Sequence, residues 1–197
     1  MGERRAELER ITRETQVRVR LDVDGQAQVE VDSGIPFFDH MLTLMAVHGF
    51  LDLTVAARGD LAVDFHHTVE DVGLVLGEAL DRALGDRKGI HRFGNAVTPM
   101  DDALAQVTVD FSKRPFLVFN GLAGGRACGG FDTGLAPEFL RALATRAGMN
   151  LHVNILYGSD PHHMLEAVFK SLGRAIGEAV QLDGRIDGVR STKGTIG

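Results

Sequence analysis

Two stretches of this sequence carry residue types and spacing that suit metal chemistry: His66-His67-Thr68-Val69-Glu70-Asp71 and, in the second half of the chain, His162-His163-Met164-Leu165-Glu166-Ala167. On a helix, residues three apart share a face, so His67 with Glu70, or His163 with Glu166, could grip one cation from a single turn. The adjacent His66 or His162 points about 100° away and is free to serve a different cation. Eight histidines in 197 residues would give roughly 0.3 adjacent pairs by chance, so a repeated pair followed each time by a glutamate is not compositional accident. His40, in Asp39-His40-Met41, and His152 extend the set; His48 and His91 lack such context and are read as non-ligands.

The candidate ligands are therefore His40, His66, His67, Glu70, His152, His162, His163 and Glu166. That is twice what one tetrahedral structural zinc consumes, which suggests two ions with open positions. Mixed imidazole and carboxylate donors without thiolate suit Mn, Fe, Co or Zn, and the surplus over four leans toward octahedral Mn or Fe. Because the first histidine of each pair is turned away from its neighbour's ion, an economical arrangement has the sites form between subunits. Anion binders are present as well: Arg92, Arg114, and the terminal Ser191-Thr192-Lys193-Gly194. Arginine forks, hydroxyls and a lysine near glycine backbone are the parts of a phosphate site, although each alone reads equally as a solvated charge. Glu14, beside Thr15, reads by itself as a solvated charge.

Both histidine pairs must open helices. Val69, Val72, Leu76, Leu80 and Leu84 recur at helical spacing from His66 to Leu84. Pro161 stands where helices accept proline, at the first turn of a helix running to about Gln181. In the first half, Val17, Val19, Leu21 and Val23 alternate as a strand over Thr15 to Asp24; Asp24-Gly25 is a turn signal leading to a second strand through Val29 and Val31, and together they read as a hairpin. A helix over Phe37 to Val47, closed at Gly49, and a strand from Leu53 to Ala57 follow. The second half repeats this order: strands Ala105 to Phe111 and Phe116 to Phe119, a helix from about Leu135 to Ala147, and a strand Leu151 to Leu156. Gly148-Met149-Asn150-Leu151 echoes Gly49-Phe50-Leu51-Asp52, and each is followed by a glycine and then a histidine pair, which indicates internal duplication. The expected fold is α+β: two repeats, about 10–94 and 95–182, each a mainly antiparallel sheet with helices on one face. Gly85 to Gly94, Gly121 to Gly134 and the tail 183–197 read as loops where function could sit.

The totals exclude several classes. A net charge of −6, no basic cluster, no Trp and one Tyr offer nothing to a nucleic-acid backbone or its bases. The single Cys128 fits a reducing compartment, with cytoplasm as the default. Met1 to Glu14 is a charge-dense run without the apolar block of a signal peptide; Met1-Gly2 resembles a myristoylation start, but Ala6 stands where Ser or Thr is needed. The longest apolar stretch, around Met41 to Val47, is far short of the roughly 20 residues of a membrane span.

Asp39-His40-Met41-Leu42 with His48-Gly49, His66-His67-Thr68-Val69-Glu70-Asp71, Arg92-Phe93-Gly94, His162-His163-x-x-Glu166-Ala167-x-Phe169-Lys170 and Ser191-Thr192-Lys193-Gly194 occur in order and together resemble the imidazoleglycerol-phosphate dehydratases of histidine biosynthesis. The resemblance runs from about Arg10 to the end. It implies a duplicated α+β fold like that of ribosomal protein S5 domain 2, two Mn(2+) ions per active site, and trimers assembled into a cage of 24 subunits with active sites between them. It also implies the eight ligands named above, a phosphate held by Arg92, Arg114, Ser191, Thr192 and Lys193, and Glu14 near the substrate hydroxyls. Lys113, Gly134 and Arg190 depart from the family's usual pattern. The tentative grouping is His67, Glu70 and His40 on one metal, and His163, Glu166 and His152 on the other.

The reaction so implied removes water from D-erythro-imidazole-glycerol phosphate to give imidazole-acetol phosphate. With both ring nitrogens on metal, the imidazole is held as imidazolate, whose electrons can expel the hydroxyl of the adjoining carbon through a diazafulvene-like intermediate. Proton loss, with Glu14 or a metal-bound carboxylate or water as carrier, then yields an enol that ketonises. Two other readings use the same residues: a two-metal phosphoester hydrolase, which would release inorganic phosphate, and a metal-storage cage, in which Arg92 and Arg114 would be dispensable.

Overall fold

A computed structural model describes residues 3–121, 125 and 127–196. Met1-Gly2, Gly197 and residues 122–124 and 126 of the expected loop 121–134 lie outside the described residues. The first half runs β1 (Arg5–Ile11), β2 (Thr15–Asp22), β3 (Val29–Asp32), α1 (Pro36–Gly49), β4 (Asp52–Gly59) and α2 (His66–Leu84). The second runs β5 (Phe93–Met100), β6 (Ala103–Asp110), β7 (Phe116–Asn120), a two-residue pair β8 (Ala127–Cys128) and β9 (Phe131–Asp132), α3 (Leu135–Ala147), β10 (Asn150–Tyr157) and α4 (Pro161–Val180). Two four-stranded sheets result, ordered β1-β2-β4-β3 and β5-β6-β10-β7. In each, the last strand pairs in parallel and the other pairings are antiparallel. This is the duplicated α+β fold expected.

Alternation decides which face of each sheet is covered. Val17, Val19 and Leu21 of β2, and Leu151, Val153 and Ile155 of β10, point into the core while their neighbours point out. Helices α1 and α2 lie on the first sheet, α3 and α4 on the second, and the pairs α1–α4 and α2–α3 join the layers into one core. These helix pairs approach closely through glycine. A Cβ on Gly173 of α4 would lie 2.1 Å from the Met45 carbonyl oxygen of α1, and one on Gly77 of α2 would lie 2.5 Å from the Leu143 carbonyl oxygen of α3. Any side chain there would force the layers apart.

Three local expectations are corrected. The hairpin of β2 with β3 does not form: β2 lies between β1 and β4, and β3 pairs in parallel with the far side of β4. After the turn at Asp24-Gly25, the Asp52 carboxylate accepts from the backbone N–H groups of Gln26 (2.7 Å) and Gln28 (2.8 Å), and so carries the chain across the sheet. The charge-dense N-terminal run contains β1, an edge strand whose Glu7 pairs with Arg18 and whose Glu9 accepts from Gln16 (2.8 Å) on β2. Finally, Phe93–Met100 forms β5, where loop and unassigned chain were expected; Gly94 and Ala96 are its buried residues, too small to print an apolar alternation. Among the described residues, no helix is long and apolar enough to cross a membrane.

Candidate metal centre

Both histidine pairs sit in the first turn of their helices, and at each start an aspartate two residues back accepts from the first histidine's backbone N–H, Asp160 as the N-cap of α4 and Asp64 just before the N-cap Phe65 of α2. The Asp160 side chain accepts from His162 N (2.8 Å), with Pro161 in the first turn, and Asp64 accepts from His66 N (2.8 Å). Four residues on from His162, on the same face, lies the buried Glu166. His40 reaches it from α1, which packs along α4. His40 Nε2 and His162 Nε2 each lie 3.0 Å from Glu166 Oε1, while Lys170 Nζ donates to Oε2 at 2.6 Å. The three ligand atoms fall within 4.8 Å of one another, and this is the one such set among the described residues. Neighbouring donors at metal–ligand distances of about 2.1 Å stand roughly 3 Å apart, so the spacing and the nitrogen-nitrogen-oxygen donor set fit a transition-metal ion. Burial pushes the Glu166 carboxyl up, but hydrogen bonds from Lys170, His40 and His162 outweigh it and hold the group at about 2. It is a carboxylate at neutral pH, as a ligand must be.

This geometry corrects the expected grouping. His40 joins the second motif rather than His67 and Glu70, and the histidine sharing Glu166 is the first of its pair, His162, four residues away, not His163, three away. The repeat places His66 and Glu70 in the same i, i+4 relation on α2. The second histidines turn elsewhere. His67 Nδ1 lies 3.0 Å from Asp60 Oδ2 and 3.9 Å from Glu14 Oε2, so Glu14 stands in the β1–β2 turn beside a candidate ligand. His163 Nδ1 lies 2.7 Å from Asp102 Oδ1, with Asp160 at 4.0 Å and Asp101 3.5 Å from Nε2. The bonds to Asp60 and Asp102 raise the affinity of the two imidazoles for a proton. His152 is exposed on β10 between buried Leu151 and Val153, so it faces away from the helix layer that carries Glu166. Within one chain it does not join His163 and Glu166.

The expected anion binders converge. A cleft of about 430 Å³ is lined by Arg92, Ser112, Arg114, Arg190, Ser191, Thr192 and Lys193 among others. Arg92, expected as a phosphate fork, has a prior engagement. It donates to Asp110 through Nε (2.7 Å) and Nη2 (3.1 Å) and to the Arg190 carbonyl through Nη1 (2.7 Å), and its guanidinium lies over Phe93. Three of its five N–H donors are thus committed to fixing the tail, leaving two for an anion. Arg114 is exposed, and Lys193 N donates to Ser191 Oγ (3.2 Å). Arg190, one of the departures from the family pattern, donates to the His91 carbonyl (3.2 Å).

Helix α4 separates the two clusters. His162 is at its start, whereas Arg92 N donates to the carbonyl of Ala179 at its end (2.9 Å). Seventeen residues at 1.5 Å each put roughly 25 Å between them. A small phosphorylated molecule cannot touch both in one chain. Asp60, Asp102 and Lys170 were not anticipated. Asp60 and Asp102 lie in turns, where an acidic residue carries no local sign of its partner; Lys170 carried the i, i+4 relation to Glu166 that could have revealed it.

The sequence profile described as imidazoleglycerol-phosphate dehydratase matches residues 33–176. Imidazoleglycerol-phosphate dehydratase of Syntrophobacter fumaroxidans is 54% identical over 195 residues, covering 99% of each chain. That of Clostridium botulinum is 53% identical over 196 residues and covers 100% of each. Among solved structures, the Staphylococcus aureus enzyme superposes with a TM-score of 0.82 at 36% identity, over 91% of this chain and 99% of that one. The Pyrococcus furiosus enzyme gives 0.83 at 36% identity, over 96% and 100%.

Proposed function

Because this chain belongs to the imidazoleglycerol-phosphate dehydratase family, we propose that it builds its active site between subunits around two Mn(2+) ions. One ion is seated by His40, His162 and Glu166, the other by His66 and Glu70; His67, His152 and His163 reach into neighbouring subunits' sites. The activity itself is that of a hydro-lyase of histidine biosynthesis, converting D-erythro-imidazole-glycerol phosphate to imidazole-acetol phosphate and water. The observation that carries the shared site is the span of α4, which keeps the metal cluster and the phosphate cleft of one chain apart. Trimers, assembled further into a 24-subunit cage, supply the missing neighbours. The biosynthetic role and lone Cys128 support a cytoplasmic enzyme.

When bound, the ions supply Lewis acidity to the substrate's imidazole and a template for its placement. Arg114, Ser191, Thr192 and Lys193 hold the phosphate, and Arg92 keeps the tail that presents the last three in place. This fixes the glycerol chain between phosphate and imidazole. Glu14 Oε2, at the edge of the His67 position, takes the proton from the hydroxyl-bearing carbon as the hydroxyl next to the imidazole departs, and returns it to that leaving oxygen. The enol left behind ketonises.

Subunit mixing tests the arrangement. His162→Ala and Arg114→Ala are each expected to be inactive. In mixed oligomers made by joint refolding, about a quarter of the sites draw both residues intact from different subunits, so a comparable fraction of wild-type turnover should return. Mixed oligomers verified by native mass spectrometry that show no recovery would place both residues in one chain's site.

A further inference from the structure

We propose that Asp60 and Asp102 are positioning residues that lock His67 and His163 in the Nδ1–H tautomer and aim each free Nε2 at a metal ion. The inference rests on the reading of those two histidines as ligands. In both motifs the second imidazole is gripped at the same atom. His67 Nδ1 meets Asp60 Oδ2 at 3.0 Å and Oδ1 at 3.3 Å; His163 Nδ1 meets Asp102 Oδ1 at 2.7 Å. A ring held by a carboxylate at Nδ1 is fixed in orientation and favours its proton there, which leaves the Nε2 lone pair to a metal; at His163 the Asp101 carboxylate, 3.5 Å from Nε2, is the more distant competitor for that proton.

The two carboxylates are not copies of one another. Asp60 follows Gly59 after β4, the place taken by Ser159 after Gly158 in the second half. Asp102 lies in the β5–β6 turn just before Ala103, the place taken by Glu14 before Thr15 in the first. The two halves therefore reach one hydrogen bond from different elements, which points to the bond rather than an inherited loop shape as what is kept. Further acids stand at longer range, Glu14, at the place of Asp102, 3.9 Å from His67 Nδ1, and Asp160, next to Ser159, 4.0 Å from His163 Nδ1.

Asp102 is itself immobilised. It accepts from Ser159 Oγ (2.6 Å), Ser159 N (2.7 Å) and Asp160 N (3.2 Å), which ties the β5–β6 turn to the cap of α4. An anionic acceptor also makes the imidazole a stronger donor to metal through Nε2. Losing such a partner typically weakens metal binding about 10- to 100-fold.

The test uses full-length protein labelled with 15N-histidine. In chelator-stripped wild type at a pH where imidazoles are neutral, long-range 1H–15N spectra should show His67 and His163 as Nδ1–H tautomers. Asp60→Ala and Asp102→Ala should each shift its own histidine toward the Nε2–H form and weaken Mn binding, measured by chelator competition, 10- to 100-fold. Asp60→Asn and Asp102→Asn, which keep an acceptor but lose the charge, should fall between and stand in if an alanine variant fails to fold. Wild type that binds Mn but holds these histidines as Nε2–H tautomers, or alanine variants with wild-type Mn affinity, would overturn the positioning role. Wild type with both Nδ1–H tautomers and no Mn binding would instead overturn the ligand reading on which it rests.

Discussion

Glu166 has the surroundings a metal ligand would need: a buried carboxylate that offers one oxygen to two imidazoles and secures the other with Lys170. Glu166→Gln keeps the shape and removes the charge, and is expected to lower bound Mn from two ions per subunit to one, as read by elemental analysis of dialysed protein. The candidate ligands His40, His162 and Glu166, which the fold brings together, could be picked out by residue type and spacing, since adjacent histidines followed by glutamate are rare. Their grouping was not, because it depends on α1 lying along α4 and on a helical offset of four rather than three. Among the histidines outside the set, His48 gives a clean pH handle. Burial first, then Lys170 and Arg174, push its imidazole below the ordinary 6.5. Its folded form therefore favours the neutral ring, and that contribution is present above about pH 6.5 and is lost as pH falls through that value toward the lower folded one. Urea unfolding of chelated protein should show the wild type losing stability relative to His48→Gln between pH 7.5 and 5.

At the scale of elements, the helices decide where the histidines go, and glycines decide how closely the helices meet. Gly173→Ala would set a methyl 2.1 Å from the Met45 carbonyl oxygen, between α1 and α4, about two turns along α4 from Glu166. The expected cost is about 2–4 kcal/mol, seen as a lower melting temperature of the metal-free protein. Mn affinity should fall with it, because the displaced α1 carries a ligand. The apolar periodicity of α2 and α3 gave their bounds directly, since each buries one continuous stripe. The sheets were less legible. β1 alternates only through Ala6 and Leu8 among charged neighbours, β5 hides its buried face in Gly94 and Ala96, and β3 finds its partner across a helix rather than across the turn that precedes it. Pairing at such range is set by the crossover, which no local pattern records.

At the scale of the whole molecule, one chain holds its candidate metal cluster and its anion cleft at opposite ends of α4, and the proposed sites are completed by neighbouring subunits. The metal cluster lies at the start of α4 and the phosphate cleft at its end, while His152 faces outward from β10. Subunit sharing was suggested by the sequence because adjacent histidines on a helix are badly turned for one ion. The span of α4 that supports it needed the fold. The central claim is that these residues, completed by neighbours and loaded with Mn, dehydrate imidazole-glycerol phosphate. The most direct measurement strips the assembled protein with chelator, restores Mn, and follows ketone formation and inorganic phosphate together. The account predicts no turnover when stripped and ketone formation without phosphate release once two Mn ions per subunit are bound. Full turnover by the stripped protein, or phosphate release without ketone, would contradict it.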